Sequence, residues 1–566
     1  MKTLIFCELK KNQNRFLQNW YIKQKIIPTI NKIKKRYPSR VIAVDDFSSK
    51  LLKKYKISNK SLKDHLSDDI SKKINTNLTK FCRLIAPTHG LLMNKLTFLN
   101  MNLWDIDEVV IMEYLRPIVE DITSLSTIIK NENPSKIILF EGNTKTARVI
   151  KEISNNKGIK LLDISSLLSE SISQIKNSLS TFTPHFNKPP YLTALRKKTG
   201  EGVEPFFKKQ EKRVVFIVAT PKWGQTIKNI SKNVKDILVI GREKNLGKHY
   251  PKLNFRSFED YASDTTNRNA DFHQNYVSHF HEIDSDQSFK SNFTYNGVAL
   301  FNIIPELFHY LFTFSPEYIL TYYYTFQQII LKEKPSVIIL FGDRTKFGKT
   351  ASEISFQYKI PTLIIQPTFI FERAIDGPTK ADKIAVFGQQ TIDYLISKGG
   401  NKDEYVLTGN PKYDEIFNQK YNSVKIKKKY SIKARKKVVV ILKDSDQKYI
   451  KRLISKLNQN NKYQSIIVEN PNDKHELFKL ANIIITKNSV IEALLFNKKV
   501  IVPQKEKNDL ISNAGAIYVD PKKVTQTLNA LDIKQHLKNK NLKYLTYGND
   551  GKSHVRISKL IKDTIK

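Results

Sequence analysis

Three residues that follow a short apolar run have the right types to bind a phosphate group. Lys487, Asn488 and Ser489 come directly after a predicted strand that ends at Thr486, and they precede a short predicted helix. Such a turn offers backbone N–H groups and the positive end of the helix dipole to an anion, and Lys487 adds a full charge. Glu492 is either a ligand for a ribose or sugar, or the partner of Ser489 in a capping box. Both interpretations stay open at this point.

Asp343 is the second candidate for chemistry. It follows Gly342 and the apolar run Val337–Phe341, at the end of a predicted strand where open α/β sheets place ligand-binding groups. A carboxylate there is a general base if burial raises its pKa, or else the N-cap of the next helix. Five residues separate Gly342 from Gly348 where the Walker pattern has four, so we expect no ATPase phosphate loop.

Parallel strands are needed to bring these residues together. Apolar runs of strand length recur along the chain, and several are followed by a turn and a helical pattern, which is typical of an α/β fold. The predicted strands include Thr3–Cys7, Arg40–Val44, Arg213–Ala219, Val438–Leu442, Asn482–Thr486 and Val500–Val502.

An internal repeat joins the first and the middle part of the chain. Glu132–Ile164 aligns without a gap to Glu333–Ile365 at a constant offset of 201, with 15 of 33 positions identical. Each copy has the pattern of a strand, a turn, an amphipathic helix and a strand, which predicts a duplicated α/β unit. In the first copy Gly142 stands where the second has Asp343, although the adjacent Glu141 could substitute for that carboxylate. We therefore predict that the first copy does not carry the chemistry.

The predicted organisation has three α/β domains. Residues 1–185 form an N-terminal domain, 186–212 a linker, 213–420 a middle domain, 421–437 a basic hinge, and 438–566 a C-terminal domain that ends in an amphipathic helix from Val555. The polar stretch Asp260–Asn292 is predicted to be a surface insertion without regular structure.

The net charge of +41 over 566 residues indicates an anionic neighbour. The lysines are dispersed and no nucleic-acid-binding signature accompanies them. We therefore expect that much of the charge lies on solvated helix faces, that an anionic membrane surface is a partner, and that nucleic acid is not. No apolar run reaches the length of a transmembrane helix, and two cysteines agree with a reducing compartment. We expect a cytoplasmic protein, with peripheral attachment to the inner face of the membrane as an option.

Five segments resemble the glycosyltransferase-B (GT-B) superfamily in order and spacing. The nearest relatives look like UDP-N-acetylglucosamine 2-epimerases and capsular-polysaccharide or CDP-glycerol transferases. The segments are Val337–Asp343, Ile360–Gln366, Ala381–Gly388, Tyr405–Ile416 and Ala481–Pro503. The resemblance implies a GT-B-like pair of Rossmann-type domains, which the duplicated N-terminal domain precedes.

The resemblance also implies roles for individual residues. Asp343 would be catalytic. The nucleotide donor would contact Gly409, Asn410, Lys487, Asn488, Ser489 and Glu492, and the acceptor side would comprise Thr220, Lys222, Gly224 and Arg344. No metal and no cofactor beyond a nucleotide-sugar or CDP-polyol donor is expected, and the acceptor would be a glycan or a lipid-linked glycan.

The sequence departs from these families at two places. Gln366-Pro367-Thr368 stands where the polymer transferases have Gln-His-Gly and where the epimerases have His-Val-Glu-Ala-Gly-Leu-Arg. At the phosphate turn this chain has Lys487-Asn488-Ser489 where the epimerases have Ser-Gly-Gly. Three hypotheses follow: a transferase in surface polysaccharide biosynthesis, a sugar-nucleotide epimerase, and an inactive GT-B-fold scaffold of a glycan-assembly complex.

Overall fold

The computed structural model describes most of the chain. The described residues are 2–9, 22–66, 68–99, 101–140, 144–164, 213–262, 266–369, 380–397, 399–433, 435–469, 473–505, 507–532 and 539–565. The predicted linker 186–212 and the positions Glu141 and Gly142 lie outside these ranges.

The first sheet is parallel, with its strands in the spatial order β3-β2-β1-β6-β7. The central strand β1 is buried along its whole length, as expected for an apolar run covered on both faces. The strands are β1 (Thr3–Cys7), β2 (Ser39–Ala43), β3 (Lys60–Ser61), β6 (Lys136–Phe140) and β7 (Lys160–Asp163), with a hairpin of β4 (Thr97–Phe98) and β5 (Met101–Asn102). The helices are α1 (Ile27–Arg36), α2 (Asp46–Lys54), α3 (Asp68–Lys80), α4 (Gly90–Leu96), α5 (Leu103–Glu132) and α6 (Lys145–Asn156).

The second sheet is also parallel and has the order β10-β9-β8-β13-β14-β15-β16. Its strands are β8 (Val214–Val218), β9 (Ile237–Gly241), β10 (Asn254–Ser257), β13 (Val337–Leu340), β14 (Thr362–Ile365), β15 (Lys383–Val386) and β16 (Tyr405–Leu407), with a hairpin of β11 (Thr294–Tyr295) and β12 (Val298–Ala299). The helices are α7 (Gly224–Ile230), α8 (Thr266–Ser285), α9 (Gln287–Asn292), α10 (Leu300–Ile303), α11 (Pro305–Thr313), α12 (Ser315–Glu333), α13 (Lys346–Gln357), α14 (Gln389–Ser397) and α15 (Asp414–Asn418).

The third sheet is parallel with the order β18-β17-β19-β20-β21. Its strands are β17 (Lys437–Leu442), β18 (Tyr463–Val468), β19 (Ile483–Ile485), β20 (Lys499–Pro503) and β21 (Ile517–Val519). The helices are α16 (Ser423–Lys429), α17 (Gln447–Asn458), α18 (Lys474–Leu480), α19 (Val490–Leu495), α20 (Asp509–Asn513), α21 (Val524–Asp532), α22 (Asn539–Leu545) and α23 (Ser553–Ile565).

The predicted fold class is confirmed by this topology. Two doubly wound α/β units with parallel sheets follow one another, and a further α/β unit precedes them. Because the strands of a parallel sheet all end at the same edge, the loops after them converge and can form a site. We call the three units the N-terminal, middle and C-terminal domains.

The N-terminal and middle domains share one hydrophobic core. The ring of Phe293, next to the β11–β12 hairpin, lies 5.5 Å from the ring of Phe81 and 6.2 Å from that of Trp104, both edge-on. These aromatic pairs bury large apolar surfaces between the two domains. The N-terminal domain is therefore packed against the middle domain and is not an independent lobe.

The last helix of the chain, α23, packs against the middle domain. Its residues Ile557 and Ile561 belong to the core on one face of the second sheet, together with Val214 and Ile365. Asp414 accepts hydrogen bonds from the backbone N–H groups of Ser553 and His554, at 3.0 and 2.8 Å. Asp414 thus caps the start of α23 and ties this helix to the middle domain.

The structure corrects one local prediction and adds detail to another. The stretch Asp260–Asn292, predicted to lack regular structure, is largely helical because it contains α8 and α9. The predicted basic hinge contains the helix α16, and Lys429 at its end pairs with Asp473 and Glu476 at 3.0 and 3.1 Å. Within the described ranges, no helix combines the length and the apolar character that a membrane crossing requires.

Candidate functional site

Four loops meet at the carboxyl edge of the middle sheet. Trp223, in the loop after β8, stacks on Phe341, which follows β13, with ring centroids 4.1 Å apart and planes inclined by 13°. Lys412, after β16, places its Nζ 4.0 Å from the centre of the Trp223 ring and 3.5 Å from the carbonyl oxygen of Pro367. The strands β8 and β16 are not neighbours, so only the fold brings Lys412 onto Trp223.

The charge on Lys412 depends on groups from two domains. Burial lowers its pKa to about 8, and the nearby ammonium of Lys222 contributes to this lowering. The carboxylate of Glu492, on α19 of the C-terminal domain, acts in the opposite direction. Lys412 therefore lies close enough to both domains to respond to their charges.

The groups that the C-terminal domain contributes near Lys412 lie on α18 and α19. Glu492 forms an ion pair with Lys474, and His475 Nε2 lies 3.6 Å from the same carboxylate oxygen. Burial favours a raised pKa for Glu492, but His475 and Lys474 outweigh it and hold the pKa below its usual value. Glu492 is therefore a carboxylate at neutral pH. We call Lys222, Trp223, Lys412, Lys474, His475 and Glu492 the cleft cluster.

The turn predicted to bind phosphate already holds a carboxylate. Asp444 Oδ2 accepts hydrogen bonds from the Thr486 hydroxyl at 2.6 Å, from Lys487 N at 2.9 Å and from Asn488 N at 2.8 Å. Asp444 follows β17, the neighbour of β19, so its approach is a consequence of the sheet order. Two of the backbone donors that the sequence assigns to a ligand are thus bonded within the protein.

The capping-box interpretation of Ser489 and Glu492 is wrong. Among the described residues the Ser489 side chain makes no capping hydrogen bond to α19, and its own N–H donates to the Thr486 hydroxyl at 3.0 Å. Lys474 Nζ lies 3.5 Å from the Ser489 hydroxyl. Glu492 points to Lys474 and His475, so this carboxylate serves the cleft cluster and not the helix start.

Asp343 lies in a tight loop after β13. Gly342 has a φ of +97°, and a Cβ there would lie 3.1 Å from Pro367 Cγ, so this loop requires glycine. Thr345 caps α13 by accepting from Gly348 N at 3.2 Å, so the alternative that Asp343 is the N-cap is wrong. Burial lowers the pKa of Arg344, and the Asp343 carboxylate opposes this shift. The role of Asp343 as a base stays a prediction.

Gly409 and Asn410 shape the turn that carries Lys412. Gly409 has a φ of +80°, and a Cβ there would overlap the carbonyl oxygen of Tyr547 in the C-terminal segment. The side chain of Asn410 is buried and accepts a hydrogen bond from Lys412 N at 3.1 Å. Both residues thus have structural contacts that explain their presence, and donor binding by them stays a prediction.

Among the predicted acceptor-side residues, Thr220 and Gly224 have structural contacts, whereas Lys222 lies near Lys412. The carbonyl oxygen of Thr220 accepts from the Tyr250 hydroxyl at 2.6 Å, and a Cβ at Gly224 would overlap the carbonyl oxygen of His249. Lys222 is exposed and acts on the pKa of Lys412. Lys222 is thus the predicted residue of the loop after β8 that belongs to the cleft cluster.

The sequence did not single out Lys412, Trp223, Lys474, His475 or Asp444. For Lys412 a signal was present, because it comes two residues after Asn410 at a strand end in the segment that resembles the GT-B superfamily. Asp444 likewise follows the predicted strand Val438–Leu442. The other residues could be found only from tertiary contacts.

Gln366, at the place of the Gln-His-Gly motif of the polymer transferases, has a structural role. It is buried, donates to Thr368 O at 2.8 Å and accepts from Phe387 N at 2.8 Å. Its amide thus ties β14 to the loop after β15, and these contacts account for it without any role in chemistry.

Comparison with known proteins finds similarity at the level of structure. No protein-family model matches the chain, and no curated protein matches its sequence. The chain is similar to UDP-GlcNAc 2-epimerase from Neisseria meningitidis bound to UDP-GlcNAc, with 14% identity and a TM-score of 0.39, over 62% of this chain and 99% of that one. It is also similar to UDP-GlcNAc 2-epimerase from Methanocaldococcus jannaschii, with 14% identity, a TM-score of 0.36, and 62% and 99% of the two chains covered. For the wall teichoic acid polymerase TagF the identity is 12%, the TM-score 0.34, and the coverage 62% and 88%.

Proposed function

We propose that this protein transfers a sugar or a polyol phosphate from a nucleotide-activated donor onto a surface glycan or its lipid carrier. The observation that supports the proposal is the cleft cluster. It combines Lys412 and Lys222 at the strand ends of one α/β domain with Glu492, Lys474 and His475 of the next. Cations at the carboxyl edges of two neighbouring parallel sheets suit a donor that leaves as a nucleoside phosphate or diphosphate.

In this proposal the predicted residues keep their assigned sides. Asp343 removes the proton of the acceptor hydroxyl. Gly409, Asn410, Lys487, Asn488, Ser489 and Glu492 line the donor side. Thr220, Lys222, Gly224 and Arg344 line the acceptor side, from which Lys222 also reaches the leaving group of the donor beside Lys412. The mechanism needs no metal ion, because lysine side chains supply the positive charge that stabilises the leaving group.

The test is a donor panel read by mass spectrometry. The full-length protein is incubated with UDP-GlcNAc, CDP-glycerol and other nucleotide-activated donors, with and without a lipid-linked acceptor. We expect acceptor-dependent release of the nucleotide, which Asp343→Asn reduces by about 100-fold or more. Asp509→Asn, at an exposed aspartate of α20, is the matched control and should keep full turnover.

Each other outcome of the panel has a definite meaning. Full turnover by Asp343→Asn would refute the assignment of the base. An isomerised nucleotide sugar formed without acceptor would replace the transferase by an epimerase, the alternative that the resemblance also implies. No consumption of any donor would refute the transferase proposal.

A second candidate is a scaffold that binds glycan-assembly partners without catalysis. One observation favours it, namely that Asp444 occupies the backbone donors of Lys487 and Asn488. A scaffold would bind a nucleotide weakly or not at all, and it would turn over no donor in the panel. Retention of a partner in pull-downs, together with the absence of turnover, would select this candidate.

For its place of action we propose peripheral attachment to an anionic membrane surface. The helix α16 exposes Lys425, Lys427 and Lys428 together with Val424, whose side chain is 78% exposed. Each lysine near an anionic surface contributes about 1 kcal/mol, and the attraction is screened within about 8 Å at physiological salt. We expect cosedimentation with anionic vesicles at low salt, weakened by Lys427→Gln and Lys428→Gln together. Equal binding to neutral vesicles, or binding to neither, would refute this attachment.

A further inference from the structure

We propose that Lys412 and Lys222 bind the diphosphate of the donor, and that the turn Lys487–Ser489 does not. The sequence assigns the phosphate to that turn and Lys222 to the acceptor side. This inference instead places the diphosphate between Lys412 and Lys222 of the middle domain. It rests on the proposed function for the identity of the ligand. Its structural basis consists of contacts that are independent of any catalytic step.

The first argument is that the turn is already neutralised. Asp444 Oδ2 accepts three hydrogen bonds there, two of them from the backbone of Lys487 and Asn488. A phosphate at the same place would meet a fixed carboxylate at hydrogen-bond distance, and like charges so close repel strongly. Displacing Asp444 would break all three of its hydrogen bonds. The turn therefore satisfies its donors within the chain.

The second argument is that Lys412 and Lys222 carry positive charge without a matching carboxylate. In the part of the chain that the structure describes, no carboxylate lies within ion-pair distance of Lys412 or Lys222. Glu492 is close enough to act on Lys412, but it is already paired with Lys474. The Lys222 ammonium is near enough to lower the pKa of Lys412, so the two groups repel each other, and an anion bound between them removes this repulsion.

The third argument is that Lys412 is held in place before any ligand arrives. Its backbone N–H donates to Asn410 Oδ1, and its ammonium lies 4.0 Å above the Trp223 ring, which in turn stacks on Phe341. A lysine side chain normally loses rotamer entropy when it binds an anion, and part of that loss has occurred here on folding. Preorganisation of this kind favours tight binding of a compact anion such as a diphosphate.

The chemistry also predicts a proton coupled to binding. Lys412 has a pKa of about 8 in the free protein, so a fraction of the molecules lack this proton at pH 8. A bound diphosphate favours the ammonium form and raises the pKa. Protons of the phosphate ligand exchange in the wild type and in Lys412→Gln alike, so the difference between the two proteins reports Lys412. At pH 8 the wild type should take up a fraction of a proton more than Lys412→Gln, and at pH 6.5, where Lys412 is already protonated, this difference should nearly vanish.

The experiment is calorimetric titration of the full chain with sodium pyrophosphate and, separately, with UDP. We expect the dissociation constant of both ligands to rise by about tenfold or more in Lys412→Gln, because a charge-assisted hydrogen bond is lost. Lys412→Arg should recover part of the affinity. Lys487→Gln and the surface control Lys425→Gln should change it by less than about twofold.

Titration in two buffers of different ionisation enthalpy at pH 8 measures the proton uptake. The wild type should take up more protons than Lys412→Gln, a difference that a merely structural effect of the substitution would not produce. Loss of affinity in Lys487→Gln with normal binding in Lys412→Gln would overturn the proposal, as would the absence of pyrophosphate binding to the wild type. Pyrophosphate binding at Lys412 without turnover of any donor would refute the proposed function and leave this site standing.

Discussion

Arg148 in the N-terminal repeat and Lys349 in the middle repeat are 201 positions apart, and they make the same kind of contact in opposite directions. Arg148 Nη1 donates to Ile303 O at 2.9 Å and pairs with Glu306 at 2.6 Å. Lys349 Nζ donates to Asp105 O at 2.6 Å and pairs with Glu108 at 3.3 Å. Each domain thus places a cation against a backbone carbonyl and a glutamate of the other.

A second pair of contacts follows the same rule. Asn156, at the end of α6, donates to Gly297 O at 2.9 Å, and Gln357, at the end of α13, donates to Leu99 O at 3.0 Å. Both acceptors lie in the turns of short hairpins, β11–β12 and β4–β5. Reciprocal contacts of this kind are the mark of an isologous interface, here formed within one chain.

The two repeats differ at the first residue of the helix that follows the strand. Lys346 forms an ion pair at 2.6 Å with Asp107 of the N-terminal domain, which is fully buried, and donates to Ser315 Oγ at 2.8 Å. Lys145, its counterpart, lies 3.4 Å above the ring of Tyr114. No carboxylate of the described residues lies within ion-pair distance of Lys145, although Glu306 acts on its pKa.

This difference shows that the N-terminal domain anchors a loop of the middle domain. Lys346 begins the helix that follows the loop with Gly342, Asp343 and Arg344, so Asp107 anchors the end of that loop. The corresponding loop of the N-terminal repeat lies outside the described residues. The N-terminal domain therefore anchors the loop that carries Asp343, through a contact that the middle domain does not return.

The largest expected effect comes from making the same substitution at both lysines. Lys346→Met leaves the Asp107 carboxylate buried without its partner, which should cost about 3–5 kcal/mol of stability. Lys145→Met breaks no ion pair and should cost less than about 1 kcal/mol. Guanidinium unfolding, followed by tryptophan fluorescence, measures both. Lys346→Met with Asp107→Leu should recover most of the loss, and equal losses in the two single variants would show that the repeats do not differ here.

A second comparison concerns the glutamate at the end of the long helix in each repeat. Glu333 is nearly inaccessible and bonds Arg213, Arg256 and the Tyr261 hydroxyl. Glu132 pairs with Lys2 and Arg40, and its side chain is 10% exposed. We expect Glu333→Gln to lower the free energy of unfolding by about 2–3 kcal/mol and Glu132→Gln by about 1 kcal/mol. Less water reaches Glu333, so its partners lose more when the carboxylate charge is removed. Thermal unfolding should rank them in this order, and the reverse order would contradict the burial argument.

The reciprocal ion pairs should be nearly equal in strength. Arg148→Ala and Lys349→Ala are each expected to cost about 1 kcal/mol, since both pairs are partly exposed. Double-mutant cycles of Arg148 with Glu306 and of Lys349 with Glu108 isolate the pairwise part. A coupling energy confined to one of the two pairs would show that the interface is not reciprocal in energy.

The smallest effect is expected at the hairpin turns. Asn156→Ala and Gln357→Ala each remove one exposed hydrogen bond and should cost about 0.5 kcal/mol. Hydrogen exchange of the hairpin amides is the more sensitive measurement, because it reports local opening. Exchange that speeds up in both hairpins to a similar degree would support the approximate two-fold relation, and a change in one alone would limit it.

Several features of the fold could be predicted from the sequence because they depend on local pattern. Apolar runs located strands such as β13 and β17, and the amphipathic pattern located α23 to within two residues at its start. The prediction for Asp260–Asn292 was wrong, because many polar residues in a segment are only weak evidence against a helix that packs on other helices. Periodicity shows that a helix has a buried face, but it does not show what covers that face.

The sequence by itself determined the α/β class, the repeat, and the strand ends near which Asp343, Gly409 and Lys487 lie. Tertiary structure alone decided that Asp444 fills the predicted phosphate turn, that Lys412 rests on Trp223, and that Asp107 holds Lys346. The physical reason is that strand and helix patterns are set by neighbours a few residues away. The charge that a lysine or aspartate meets is set by residues far along the chain, such as the 239 positions that separate Asp107 from Lys346.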